Sequence, residues 1–125
     1  MRASSGLLRV GVIGSGGRGA VLGGIAHGFH RQARVVACCD RDRATLARNQ
    51  ATYGSDLFVT TRLERLLERE LDAVIIATPD FLHEAQAVAA LARDLNVYLE
   101  KPMAITTEGC DRVLRQAVRS RGRLY

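Results

Sequence analysis

Residues 11–19 read GVIGSGGRG: three apolar positions flow into a loop in which Gly14, Gly16, Gly17 and Gly19 crowd six places. The approach to the loop, LLRVGVIG (7–14), has the length and continuous apolarity of a strand buried on both faces. What leaves it, GAVLGGIAHGFHRQ (19–32), is helix-length, although Gly23, Gly24 and Gly28 weaken it. The loop is thus a strand-to-helix turn, and the same alternation repeats outward from it. ARVVACCD (33–40) is a second buried strand, followed by a helix over 41–54 that Gly54 stops. A short strand (56–60) precedes an amphipathic helix (62–70) with Leu63, Leu66 and Leu67 inward. DAVIIAT (72–78) is the clearest strand. Pro79 keeps Thr78 out of a helix, and Asp80 is placed to cap a helix over 81–93. NVYLE (96–100) is a fifth strand, Pro102 ends it, and a last helix covers 106–120. Strands alternating with helices predict an α/β fold, a doubly wound parallel sheet covered on both faces. GRLY (122–125) reads as the opening of a sixth strand, so 1–125 is one domain ending where that strand starts.

Bulk properties narrow the possible functions. The chain has 125 residues, 47% of them apolar and 25% charged, a soluble globular balance. No run approaches the ~18 apolar residues of a membrane span, so no membrane partner is expected. The lead MRASSGLLRVGVIG enters a strand too soon for a full signal peptide, which makes the cytoplasm the expected location. Three cysteines, Cys38, Cys39 and Cys110, show no metal or redox spacing. They read as small buried hydrophobes, with no metal site expected. The net charge of +5 owes much to the last segment, where Arg112, Arg115 and Arg119 share a helix face opposite Cys110, Val113, Leu114, Ala117 and Val118. That stripe has no interleaved aromatics and no nucleic-acid motif, so it reads as a solvated face and no nucleic-acid partner is expected. His27 and His30, on the first helix, read as surface residues.

The glycine spacing carries chemistry. In Gly14-x-Gly16-x-x-Gly19 the first glycine permits the tight turn. The second lets a pyrophosphate reach the backbone, and the third lets helix pack on strand. Gly17 adds freedom, Arg18 offers a charge-assisted contact, and the N–H groups opening the helix can hold phosphate. Asp40 ends the second strand twenty-one residues beyond Gly19, where a carboxylate accepts hydrogen bonds from an adenosine ribose. A carboxylate there repels a 2′-phosphate and favours NAD over NADP; Arg41, the next residue, is the competing argument for NADP. S-adenosylmethionine enzymes also combine a glycine loop with an acid after the second strand, so this pair alone leaves both classes open.

Three motifs in order close that choice: GVIGSGGRG after strand 1, ATPDFLH (77–83) after strand 4, and EKP (100–102) after strand 5. Together, over essentially the whole chain, they resemble the N-terminal NAD(P)-binding Rossmann domain of the Gfo/Idh/MocA family, the glucose–fructose oxidoreductase and inositol dehydrogenase relatives. The resemblance implies a two-domain NAD(P)-dependent oxidoreductase acting on sugars, cyclitols or similar polyols. By the same resemblance, Thr78 and Pro79 line the cofactor beside the nicotinamide ribose, with His83 nearby. Glu100 and Lys101 sit at the nicotinamide, and Lys101 meets the reacting hydroxyl. The Lys–Pro peptide is cis in many relatives, and proline lowers the cost of that isomer. The bland reading of His83 is a polar, partly exposed residue one turn into a helix.

Lys101 is the only lysine; the other seventeen basic residues are arginines. Arginine keeps its proton in proteins, whereas an amine can take or relay one when a hydride leaves carbon and a proton leaves oxygen. The expected setting of that amine is partly desolvated. By the same resemblance, the family's C-terminal substrate domain is expected to begin just beyond residue 125. The readings that remain are the cofactor half of an oxidoreductase, inactive by itself, and a stand-alone dinucleotide-binding or sensing module. A third is an enzyme that uses NAD transiently to cleave glycosides. Family members commonly assemble as homo-oligomers.

Overall fold

The computed structural model describes residues 6–125. The signal-peptide reading falls partly on residues 1–5, outside the described residues. The chain runs β1 (Leu8–Ile13), α1 (Gly17–Gly28), β2 (Ala33–Cys39), α2 (Arg43–Tyr53), β3 (Phe58–Thr60), α3 (Leu63–Leu67), β4 (Ala73–Ile76), α4 (His83–Ala92), β5 (Asn96–Leu99) and α5 (Thr107–Arg119). All strand pairs are parallel, in the order β3-β2-β1-β4-β5. The chain steps outward one way from β1 to β3, then returns to the other side of β1 for β4 and β5. The direction reverses between β1 and β4, and in such sheets ligands bind in the crevice outside the carboxyl ends at that point.

Strand side chains alternate between two cores because the strand period is two. Val10, Val12, Val35, Cys38 and Ile75 join Leu46 and Tyr53 of α2. Their neighbours Ile13, Cys39, Val74, Ile76 and Val97 pack with Leu66, Ala87, Leu91 and Val113 from α3, α4 and α5. Val12, Val74, Ile76 and Val97 are fully buried, each worth about 1.5–3 kcal/mol relative to exposure. The cysteines of β2 belong to these cores: burial, the leading cause, pushes the thiol of Cys38 up to about 12 and that of Cys39 up to about 11.

Several local expectations change. The first helix occupies 17–28 rather than 19–32: the glycine turn leads into it through Gly17 at φ +47°, and it stops at Gly28 with Phe29 as its C-cap. It leaves Val21, Ile25 and Phe29 exposed and buries Gly19 and Gly23. Asp80 caps nothing: residues 80–82 form a 3-10 turn after Pro79, and α4 starts at His83. The helix caps are Asp42, accepting from the Ala44 amide of α2, and Thr106, accepting from the Gly109 amide of α5. On α5, Val113 is buried as expected, whereas Leu114 and Val118 are 47% and 88% exposed. The buried stripe of α5 is centred on Gly109 and Val113, so Leu114 and Val118 fall on its flank. Arg112 pairs with Glu84 of α4. His27 is half-buried, accepting from the Val35 amide through Nδ1 and meeting Tyr53 edge-on, so it staples α1 to β2 instead of lying free on the surface. Beyond α5, Leu124 bridges Val97 in parallel, and the Tyr125 amide donates to the Val97 carbonyl at 2.8 Å.

Candidate functional site

The carboxyl ends of β1, β4 and β5 are sewn together by backbone: the Ala77 amide donates to Ile13 and the Glu100 amide to Ile76, both at 2.9 Å. The glycine loop, the Thr78–Pro79 turn and the Glu100–Lys101–Pro102 segment therefore share one edge. Gly14 has φ +79°, and a Cβ there would lie 2.8 Å from Ala77 and Thr78 atoms. A Cβ on Gly19 would lie 1.7 Å from the Gly14 carbonyl oxygen. Both glycines are thus required by the protein's own packing.

Gly16 differs. Its backbone is ordinary extended chain (φ −91°, ψ 172°), and a Cβ would meet its nearest neighbour, Thr45, at 3.5 Å, normal van der Waals distance. Nothing in the fold demands glycine at 16. Gly17 has φ +47° with open space around it, and Arg18 is exposed. Helix α1, like α3 and α4 but unlike α2 and α5, begins without a side-chain cap, and its Gly19 and Ala20 amides turn back to the Gly16 carbonyl.

Asp40 stands beside this loop. One carboxylate oxygen accepts from the Ser15 amide at 3.0 Å and the other from the Asp42 amide at 2.9 Å. A carboxylate has about four acceptor positions, so half its capacity remains. Under the loop, buried Ser15 donates through its hydroxyl to Asn49 Oδ1 at 2.5 Å, and Asn49 Nδ2 donates back to the Ser15 carbonyl at 3.2 Å. Sequence reasoning missed this pair; the one signal was a polar Asn on the inward face of α2. Arg41, next to Asp40, is exposed.

On the other side of the crevice, Arg18 does not stand clear to meet an anion. Its Nε donates to Glu100 Oε2 at 3.2 Å, reaching from the glycine loop past the end of β4 to the end of β5. That hydrogen bond, first among the causes, holds the Glu100 carboxyl below the usual range. Thr78 turns its hydroxyl to Gln86 Oε1 of α4 at 2.5 Å, while Pro79 is exposed. The Lys101–Pro102 peptide is cis. Lys101 itself is exposed, against the expectation of partial desolvation: it lies in the segment that leaves the carboxyl end of β5.

His83 overturns its bland reading outright. It is 1% exposed, and its ring nitrogens face the carbonyl oxygens of Pro102 (Nδ1, 2.6 Å) and Thr78 (Nε2, 2.8 Å). With both nitrogens so engaged, neither is directed at the crevice. Among the described residues no cluster of three or more His, Cys, Asp or Glu could hold a metal, and no helix is long and apolar enough to cross a membrane.

Comparison with known proteins places the family and the fold. Residues 8–125 match the family model for the Gfo/Idh/MocA oxidoreductases, described as an oxidoreductase family, NAD-binding Rossmann fold. The chain is 35% identical over 123 residues to inositol 2-dehydrogenase 1 of Saccharopolyspora erythraea, covering 94% of this chain and 35% of that protein. It is 35% identical over 105 residues to 2,7-anhydro-N-acetylneuraminate hydratase of Mediterraneibacter gnavus, covering 83% and 27% respectively. Among solved structures, the WlbA dehydrogenase of Bordetella pertussis, in complex with NADH and UDP-GlcNAcA, superposes with a TM-score of 0.87 at 27% identity, over 94% of this chain and 35% of that one. The chain therefore spans about a third of the length of these relatives. A glycine loop, an acid after β2 and a lysine after β5 on one sheet edge, with a family match over 8–125, make this chain a member of the Gfo/Idh/MocA oxidoreductase family, carrying its NAD-binding Rossmann fold.

Proposed function

We propose that this chain is the cofactor-binding part of an NAD-dependent oxidoreductase that works on a hydroxyl-bearing carbon of a sugar, cyclitol or related polyol. The observation that carries the reading is Gly16, a glycine for which the protein's own packing gives no reason. It lies beside the uncapped start of α1. A pyrophosphate seated there needs a bare backbone and amides that no side chain has claimed; Gly16 supplies the first, and no side chain caps the start of α1. Gly14 and Gly19 shape the turn, and Gly17 and Arg18 flank it. The unused acceptor capacity of Asp40 suits the two hydroxyls of an adenosine ribose and repels a 2′-phosphate. Its neighbour Arg41 is the group that would reverse that preference.

The residues at the ends of β4 and β5 fit the nicotinamide half. Thr78 and Pro79 form one wall beside the ribose and Glu100 and Lys101 the other; His83 supports both from beneath. A bound nicotinamide supplies the hydride acceptor. Lys101, the one amine among the basic side chains, takes the hydroxyl proton at Nζ, a task a guanidinium cannot perform. Its exposure here means that the water exclusion such a step requires comes from groups outside this chain: the cofactor, the substrate and a substrate-binding domain. The similarity to a hydratase favours one further form of the same chemistry, in which the hydride is taken and returned with no net oxidation.

Calorimetric titration of the chain with NADH and NADPH tests the proposal. Saturable binding with NADH preferred is the expected result. Preference for NADPH would transfer the decision to Arg41. A folded chain that binds neither would refute the cofactor assignment for this chain.

A further inference from the structure

We propose that His83 is a positioning residue for Lys101, and that it acts as an imidazolium whose two N–H groups tie the turn after β4 to the segment after β5; its significance for Lys101 rests on the function proposed above. Both groups facing the ring are backbone carbonyls, Thr78 at 2.8 Å and Pro102 at 2.6 Å. A carbonyl oxygen only accepts. A neutral imidazole has one donor and one acceptor nitrogen, so it could satisfy one of these oxygens and would set a lone pair against the other. The 2.6 Å separation from Pro102 is at the short extreme for an N–H···O bond and the 2.8 Å separation from Thr78 is within the ordinary range, so both are bonding distances that call for a donor on each nitrogen. The contrast within the chain is His27, whose Nδ1 accepts from an amide at 3.2 Å.

Two effects oppose a cation here. The ring is 1% exposed, and it stands on the first residue of α4, the positive end of that helix. The two carbonyl dipoles aimed at the ring are what offset them. The consequence is mechanical. Thr78 already leans on α4 through Gln86, and Pro102 directly follows Lys101. Through one side chain, α4 holds both walls of the nicotinamide end, so the backbone carrying Lys101 is set relative to Thr78 before any ligand arrives.

Nitrogen-15 NMR of the intact chain tests the donor pattern. Both His83 ring nitrogens should carry protons at neutral pH; one bare nitrogen overturns the proposal. Amide hydrogen exchange in His83→Gln and His83→Ala tests the tie. Exchange should rise by about tenfold or more at Leu82 and Glu100, whose amides donate to Pro79 and Ile76 on the two tied segments, as losing a bond to a charged donor implies, while Val12 and Ile13 in β1 keep wild-type protection. A uniform rise across the sheet would mark His83 as core filling alone and overturn the positioning role, as would no change at all. None of these measurements involves cofactor, so failure to bind NADH would remove the function proposed above and leave the tie standing.

Discussion

The two halves of the crevice are built by different means. The loop after β1 is a backbone construction. Gly14 takes a left-handed turn, Gly19 lets α1 sit on the Gly14 carbonyl, and the amides of the loop and of α1 do the rest. The segments after β4 and β5 are held by side chains from elsewhere: His83 and Gln86 of α4 beneath, and Arg18 from across the crevice. Only the first kind leaves a compact trace in sequence, because a glycine required by backbone geometry sits at the position that requires it. A side-chain tie can come from any residue that folding brings near. The site joins a rigid, locally encoded phosphate cradle to a nicotinamide end whose shape depends on long-range packing.

The largest break in this comparison should come from Gly19→Ala. Its Cβ would start 1.7 Å from a backbone oxygen, and helix and loop must separate to admit it. A loss of about 3–5 kcal/mol is expected, at the severe end for single substitutions, read from the midpoint of urea unfolding. Gly16→Val sharpens the contrast within the same loop. Stability should stay within about 0.5 kcal/mol, as for surface positions without special features. NADH affinity should fall by at least about a hundredfold, ~2.7 kcal/mol, in the calorimetric titration. Stability losses of equal size in the two variants would erase the distinction between a glycine the fold needs and one the ligand needs.

The smallest effect concerns Arg18–Glu100, the link between the halves. Because Arg18 lowers the carboxyl of Glu100 below its usual 4.5, the stabilisation is complete above that value. It is lost as pH falls through the lower, folded value. Arg18 is largely exposed, so the contribution is small and salt-sensitive. Thermal unfolding of Glu100→Gln should fall slightly below wild type at neutral pH, and the two should converge in acid. A gap that persists or widens in acid would show that the pair does not carry the difference.

Much of the fold was legible because buried parallel strands are short apolar runs separated by helix-length segments. LLRVGVIG, ARVVACCD and DAVIIAT satisfy that pattern with little ambiguity. Gly54 stopped its helix as its conformation requires. The reading slipped where burial had to be inferred from spacing alone. Leu114 and Val118 are apolar and helically spaced but lie beside the buried stripe, and His27 and His83 are polar yet packed. Asp80 had the chemistry of a cap and the wrong backbone, because Pro79 leads into a 3-10 turn.

The strand–helix order, the glycine turn, the acid at the end of β2 and a lone lysine after β5 are all legible in the residues without any coordinates. Each follows from local rules: apolar periodicity, the freedom of glycine and the proton chemistry of an amine. Tertiary structure alone decided which glycines the fold needs and which it does not, that Arg18 engages Glu100, and that His83 lies buried between two carbonyls. Those are distances between residues up to 82 positions apart, and no local propensity specifies a distance across a sheet.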